Sequence, residues 1–530
     1  MNDVLFKNVK MYDGSGAAAQ MCDVSVSEDK IAAVAPAGSI KEYHASVIDG
    51  TGLSLAPGFI DAHSHSDTQV LIDPGRDCKL RQGVTTEIAG QCGASRGPTA
   101  DPVNPVYLKH VQTTNSSKTV LFRTYDDMMA AIAAVRPANN QMSFVGHNNI
   151  RGSVMGMENR PATAKELDAM KDLVDGAMKM GAPGYSTGLV YSPSQYGSTE
   201  ELIELAKVVA KYNGIYTTHM RGEGAHLYES VKEAVRIARE AGVRTNISHL
   251  KVMMQKNRPL LKQSLALIEQ ANAEGCEIFF DVYPYTASSA GFLSTLPPSY
   301  LSHGIDWLVE ELSTPEGVKR LEEAIMHPTE AWENILLNNG FDKDLLVTGR
   351  NLEDAVGKTY HQYAQERGMS DVAAFADMIV RSHGAGVDVR FLMDEEDIEM
   401  LYGHPLCMVG SDGVYAGQGN LTHPRAFATF TRYLGRYIRE KKILPFEEGI
   451  HRITGMTADR YHIKNKGYIR VGYDADLVLF DDAHIIDHAD YTDPFKPNEG
   501  IEMVFVGGQA AVANDRLTGV RNGKIVRYAK

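Results

Sequence analysis

Through the middle of the chain, short apolar runs alternate with stretches whose apolar residues recur every three to four positions. ELIELAKVVAKYN carries a helical stripe and is followed by the apolar run GIYTTHM. ESVKEAVRIAREAG is followed by VRTNISHL, and LLKQSLALIEQANAEG by CEIFFDVYPY. This repetition predicts βα units with parallel strands. Eight strands are predicted, near Phe59–His63, Val84–Ile88, Met142–His147, Gly184–Ser186, Ile215–His219, Arg244–His249, Ile278–Tyr283 and Met408–Asp412. Eight units favour a closed (β/α)8, TIM-like barrel over an open doubly wound sheet. No glycine-rich dinucleotide fingerprint follows the early strands, which weakens the open alternative.

The two ends have another texture. Residues 1–55 read as short strands and turns, and the tail resumes that pattern in ADLVLFD, EMVFVGGQAAV and NGKIVRYAK. Residues 1–55 and 468–530 are therefore expected to form one small β-sandwich domain, with the barrel over 56–467. Between Tyr285 and Met408 the spacing is far longer than a normal connection. That stretch is largely helical in pattern, and a helical insertion over about 286–400 is expected near the barrel mouth.

The formal net charge of −14 on 530 residues argues against nonspecific nucleic-acid binding. Five sparse cysteines (Cys22, Cys78, Cys92, Cys276 and Cys407) make a disulfide framework improbable and fit a reducing compartment. The N-terminus lacks the pattern of a secretory signal, and no apolar stretch is long enough to cross a bilayer. The expectation is a cytoplasmic protein with a small-molecule substrate and no nucleic-acid or membrane partner. Oligomeric state is open.

The chemistry lies where the strands end. His63 and His65 in PGFIDAHSHSD, Cys92 in GQCG, then His147, His219, His249, Tyr283 and Asp412 all fall at predicted strand ends. In such barrels the active site is built there. Taken singly, each has an ordinary explanation: a hydrogen-bonded core histidine, a core aromatic, a turn aspartate before glycine. The set is poorly explained that way. Imidazole and thiolate are standard zinc ligands, and Asp412 beside them is a candidate proton carrier.

These residues sit in runs that resemble the D-aminoacylase (N-acyl-D-amino-acid deacylase) family of the amidohydrolase superfamily. The runs are APGFIDAHSHSD, EIAGQCGAS, GAPGYSTGLVYSP, THMRGEG, ISHLK, DVYPYTASS, GSDG, THPRAFATF and GYIRVGYDADLVLFD, in the family's order over most of the chain. The resemblance implies zinc-dependent hydrolysis of the amide of N-acyl-D-amino acids. It implies one tight zinc site on Cys92, His219 and His249. A second, weaker position falls on His63 and His65, with Cys92 as the bridge. It makes Asp412 the general base and Lys251, Tyr283 and Arg425 the binders of the substrate carboxylate. An arginine fork and a lysine suit that anion. The alternatives are a cyclic amide or ureide hydrolase, disfavoured by Cys92 and by the lack of a bridging lysine, and a non-catalytic scaffold, disfavoured by the complete ligand set. The chain departs from the family pattern at Asn148 and Asn149, which are expected to shape the acyl pocket. It also departs at Leu250 and in the length of the loop between GSDG and THPR. Side-chain preference is expected from the insertion and from the loop at Ser288 and Ser289.

Overall fold

The computed structural model describes residues 3–41, 46–67, 69–114, 119–329, 332–414 and 421–528. Eight parallel strands form the barrel: Phe59–Asp61, Val84–Ala89, Asn140–Ser143 continuing as Val145–Gly146, Gly184–Gly188, Ile215–His219, Arg244–Ile247, Ile278–Val282 and Cys407–Val409. Each pairs in parallel with the next. The ring closes where Ala62 N donates to Val409 O at 3.3 Å and Ser64 bridges Gly413. Most of these strands are buried along their whole length, as expected when helices cover one face and barrel packing fills the other. The helix Leu227–Ala241 shows why the outer ring forms. It buries Leu227, Val231, Ala234, Val235 and Ala238 on one stripe and ends on Gly242 in the left-handed conformation.

The first barrel strand stops at Asp61, two residues short of the expectation. His63 and His65 therefore stand beyond the strand end, and strand alternation does not align them. Both nevertheless turn toward one acceptor, Asp412 Oδ1, with their ring centroids 5.4 Å apart.

Strands from both chain ends form one nine-stranded sheet, and Ser54–Pro57 leads directly into the barrel. The sheet curls until Phe6 meets Phe505 edge-on at 5.1 Å, three strands away. Its two halves thus face each other as a sandwich would, while remaining hydrogen-bonded as one sheet. Of the tail NGKIVRYAK, expected as a further strand of this sheet, the described residues 522–528 run instead against the barrel. Val526 N donates to Gln141 O at 2.8 Å and Tyr528 N to Gly181 O at 2.9 Å. Its apolar alternation is spent on the barrel floor, where Val526 and Tyr528 join Met142 and Tyr461.

The insertion carries the expected helices, but also a three-stranded antiparallel sheet of Ala287–Gly291, Gly386–Phe391 and Asp344–Gly349, with the second strand central. It has its own core around Phe292, Leu308, Leu321, Tyr360 and Phe375. Among the described residues, no helix is long and apolar enough to span a membrane.

Candidate active site

The turn after the second strand presents Cys92. The residue sits at φ 52°, and Gly93 follows at φ 73°. A Cβ on Gly93 would lie 2.8 Å from Gly188 N, so only glycine lets this turn press against the fourth strand. His249 (φ 36°) and Asp412 (φ 49°) share the left-handed conformation. That conformation is unusual for non-glycine residues and clusters at functional sites.

The turns bring the donors together. Cys92 Sγ lies 3.3 Å from His63 Nε2 and 3.3 Å from His249 Nε2. Cys92, His63, His249 and Asp412 each offer a ligand atom within one small sphere, and His219, Glu223 and His249 form a second group that shares His249. His219 Nδ1 is buried with no partner. Burial pushes the Cys92 thiol up, but the imidazoles of His63 and His249 outweigh it and hold the thiol well below its ordinary range. A buried thiolate, surrounding imidazoles and an orphaned ring nitrogen fit a soft, tetrahedral cation. Glu223 and Asp281 stand behind the ligands. Asp281 takes His63 Nδ1 at 3.2 Å, the His249 peptide N–H at 2.9 Å and Asn246 Nδ2 at 2.7 Å.

Asp412 is buried beside His65, whose Nε2 is 2.9 Å from Oδ1, and Arg425, whose Nη1 is 2.7 Å from Oδ2. Burial alone would raise the Asp412 carboxyl; Arg425 and His249 hold it well below the usual range. His65 is pushed up to about 9, with burial opposing and the Asp412 hydrogen bond prevailing. Arg425 lies behind Asp412. It also donates to Ser289 O at 2.9 Å and stacks over the Tyr283 ring at 4.7 Å. Among the described residues, Tyr283 Oη is buried without a partner.

These groups open on a cleft of about 880 Å3, mouth included, lined by Tyr191, His219, Lys251, Tyr283 and Asp412. The insertion adds Ser288, Ser289, Ser294, Trp332, Glu333 and Arg390 to the lining. Every sequence-predicted site residue except His147 thus lies at or directly behind this cleft. The His147 ring is held away by Ser194 Oγ at 2.6 Å and Glu201 Oε1 at 3.0 Å. Asn148 and Asn149, expected to shape the acyl pocket, are turned into the scaffold. Asn148 Oδ1 accepts from Ser194 N at 2.7 Å and Asn149 Nδ2 donates to Pro98 O. Leu250 is core, because its position points away from the mouth. Most of the loop between GSDG and THPR lies outside the described residues.

Residues 46–512 match the sequence profile of the Amidohydrolase family. The chain belongs to the amidohydrolase family. Among relatives of this amidohydrolase, a D-aminoacylase of Alcaligenes xylosoxydans xylosoxydans is 33% identical over 99% of this chain and 97% of its own length. An N-acyl-D-glutamate deacylase from Bordetella bronchiseptica, crystallised with zinc and a phosphonate inhibitor, superposes with a TM-score of 0.83. It is 29% identical, with 99% of each chain covered. A D-aminoacylase structure described as holding a binuclear metal centre, with one-metal activation and second-metal attenuation, superposes with a TM-score of 0.82. It is 31% identical, with 99% of each chain covered.

Sequence reasoning missed Glu223, Asp281 and Tyr191, whose ring stands 5.1 Å from that of His219. Asp281 carried a usable signal, since aspartate is depleted inside strands.

Proposed function

We propose that this amidohydrolase cleaves the amide bond of linear N-acyl-D-amino acids, releasing a carboxylate and a free D-amino acid. The observation that carries the reading is the meeting, at one cleft, of a buried cysteine–histidine donor set with a carboxylate and two groups suited to an anion, Lys251 and Tyr283, while Arg425, expected to bind the substrate carboxylate, is buried behind Asp412. The relatives' names support the acyl class and the D configuration. Cys92, His219 and His249 would hold the tight zinc ion, and His63 and His65, bridged by Cys92, a weaker second one. Zinc bound there supplies Lewis acidity to the attacking water and to the acyl oxygen.

Asp412 takes the proton of that water and delivers it to the amide nitrogen as the C–N bond breaks. His65 holds the Asp412 carboxylate in line from Nε2. Lys251 meets the substrate carboxylate from the cleft wall, and the unpartnered Tyr283 hydroxyl donates to it. Arg425 supports both groups from behind. Five unpaired cysteines, one of them a metal ligand in this reading, favour the cytoplasm.

The test is turnover of N-acetyl-D- and N-acetyl-L-amino acids with acidic, apolar and basic side chains, beside hydantoins, with zinc measured on the same sample. Preference for the D series with zinc present is expected. Hydrolysis of hydantoins without turnover of any acyl amino acid would overturn the reading.

A further inference from the structure

Glu223 lies in THMRGEG, in the turn after the fifth barrel strand, and is 4% exposed. Its peptide oxygen accepts from Met253 N at 2.8 Å, which ties this turn to the one after the next strand. Oε1 accepts from Lys251 Nζ at 2.7 Å and faces His249 Nδ1 at 3.1 Å. Oε2 faces His219 Nε2 at 3.6 Å. One carboxylate therefore touches two proposed metal ligands and one proposed substrate binder.

We propose that Glu223 is a positioning residue that fixes the two histidines in opposite tautomers, His219 offering Nδ1 and His249 offering Nε2, and couples that seat to Lys251. The inference rests on the metal-centre reading above. An ionised carboxylate only accepts hydrogen bonds. The ring nitrogen facing it is stabilised as N–H, which leaves the lone pair on the opposite nitrogen. For His249 that opposite atom is Nε2, 3.3 Å from Cys92 Sγ. For His219 it is Nδ1, the buried nitrogen with no partner. The two rings lie edge to face at 4.4 Å, so a flip of either would break the arrangement.

Lys251 adds the coupling. Its Nζ stands 2.6 Å from His249 Nδ1, and an ammonium and an imidazole N–H cannot both donate along that line. Glu223 Oε1 is the acceptor that both groups share, at 3.1 Å from His249 Nδ1 and 2.7 Å from Lys251 Nζ. Glu223 thus ties the metal seat to a wall of the cleft that Lys251 lines.

The experiment measures zinc dissociation constants by competition with a chromophoric chelator, without substrate, for wild type, Glu223→Gln and Glu223→Asp. Thermal stability of the metal-free proteins and the split of KM against kcat are read alongside. Glutamine keeps the volume but one acceptor; aspartate keeps the charge but not the reach. Both are expected to weaken zinc about 10–100-fold and to raise KM; Glu223→Gln should also lower metal-free Tm, because it strands the buried Lys251 ammonium, while Glu223→Asp should leave it unchanged. Wild-type zinc affinity in Glu223→Asp would reduce the residue to a source of charge and overturn the proposal. Lowered metal-free Tm with unchanged affinity would overturn it too. Failure of the substrate reading shows separately, as wild type that binds zinc but leaves acyl amino acids intact.

Discussion

Two buried polar networks lie within the barrel and differ in one respect. In the first, behind the first two strands, Lys79 Nζ donates to Asp61 at 2.6 Å and to Ser411 at 2.7 Å. Glu87 accepts from Arg76 Nε at 3.0 Å, Asn139 at 2.8 Å and Ser64 at 2.8 Å. Apart from Arg76 Nη1, every polar side-chain atom of these charged residues finds a partner. In the second, around Cys92, His219 Nδ1, Tyr283 Oη and two Arg425 nitrogens have no hydrogen bond. Arg425 Nη1 is close enough to Asp412 for an ion pair, but its N–H does not line up with the carboxylate. Burying an unpaired polar atom costs about 1–3 kcal/mol. Both networks are buried; what separates these two is the second's larger unfilled hydrogen-bonding capacity, at atoms that face the proposed site.

The comparison can be broken by substitution. The largest expected effect is in the open network: Asp412→Asn should lower kcat about 10²–10⁴-fold with zinc content and Tm retained. Near-normal kcat would remove Asp412 from the reaction. In the closed network, Lys79→Met strands Asp61. It should cost about 3–5 kcal/mol of stability in denaturant unfolding, with the zinc affinity of the folded fraction intact. If activity fell while stability held, the two networks would not be distinct in kind. Next, Lys251→Met should raise KM roughly 10- to 100-fold, as expected for loss of a charged hydrogen bond; steady-state kinetics on the preferred substrate decides.

A third cluster, in the insertion, sharpens the contrast by pH. Asp344 is pushed up to about 7 by burial and by Asp388, while Arg390 and Asn339 oppose. The folded state therefore binds this proton more tightly than the unfolded chain. The associated stability is full below the ordinary carboxylate pKa and is lost as pH rises to about 7. Tm should decline across that window, and Asp344→Asn should flatten that decline.

The barrel was legible because each strand pairs an apolar run with a helical stripe, and the ligands because histidine and cysteine are scarce enough for their strand-end positions to stand out. Glu223 was not legible. Among 67 acidic residues, a glutamate in a glycine-flanked loop reads as a solvated charge until Met253, His249 and Lys251 close around it. The insertion strands were hidden for another reason. ASSAG and DLLVTG carry little alternation, and the antiparallel partners that make them strands lie up to a hundred residues away. Asn148 misled because a polar residue at a strand end was taken to face the mouth, whereas it caps the turn at Ser194.

Cys92, His249 and Asp412 all carry left-handed backbones, and this narrows the routes by which the site can change over time. Asparagine, aspartate and glycine enter that conformation readily, while β-branched residues do so at a cost of about 1–3 kcal/mol. Drift at these three positions should therefore run through Asn, Asp or Gly. A lineage that exchanged its thiolate for another ligand would meet aspartate first, turning a soft metal seat into a harder one without rebuilding the loop that holds it.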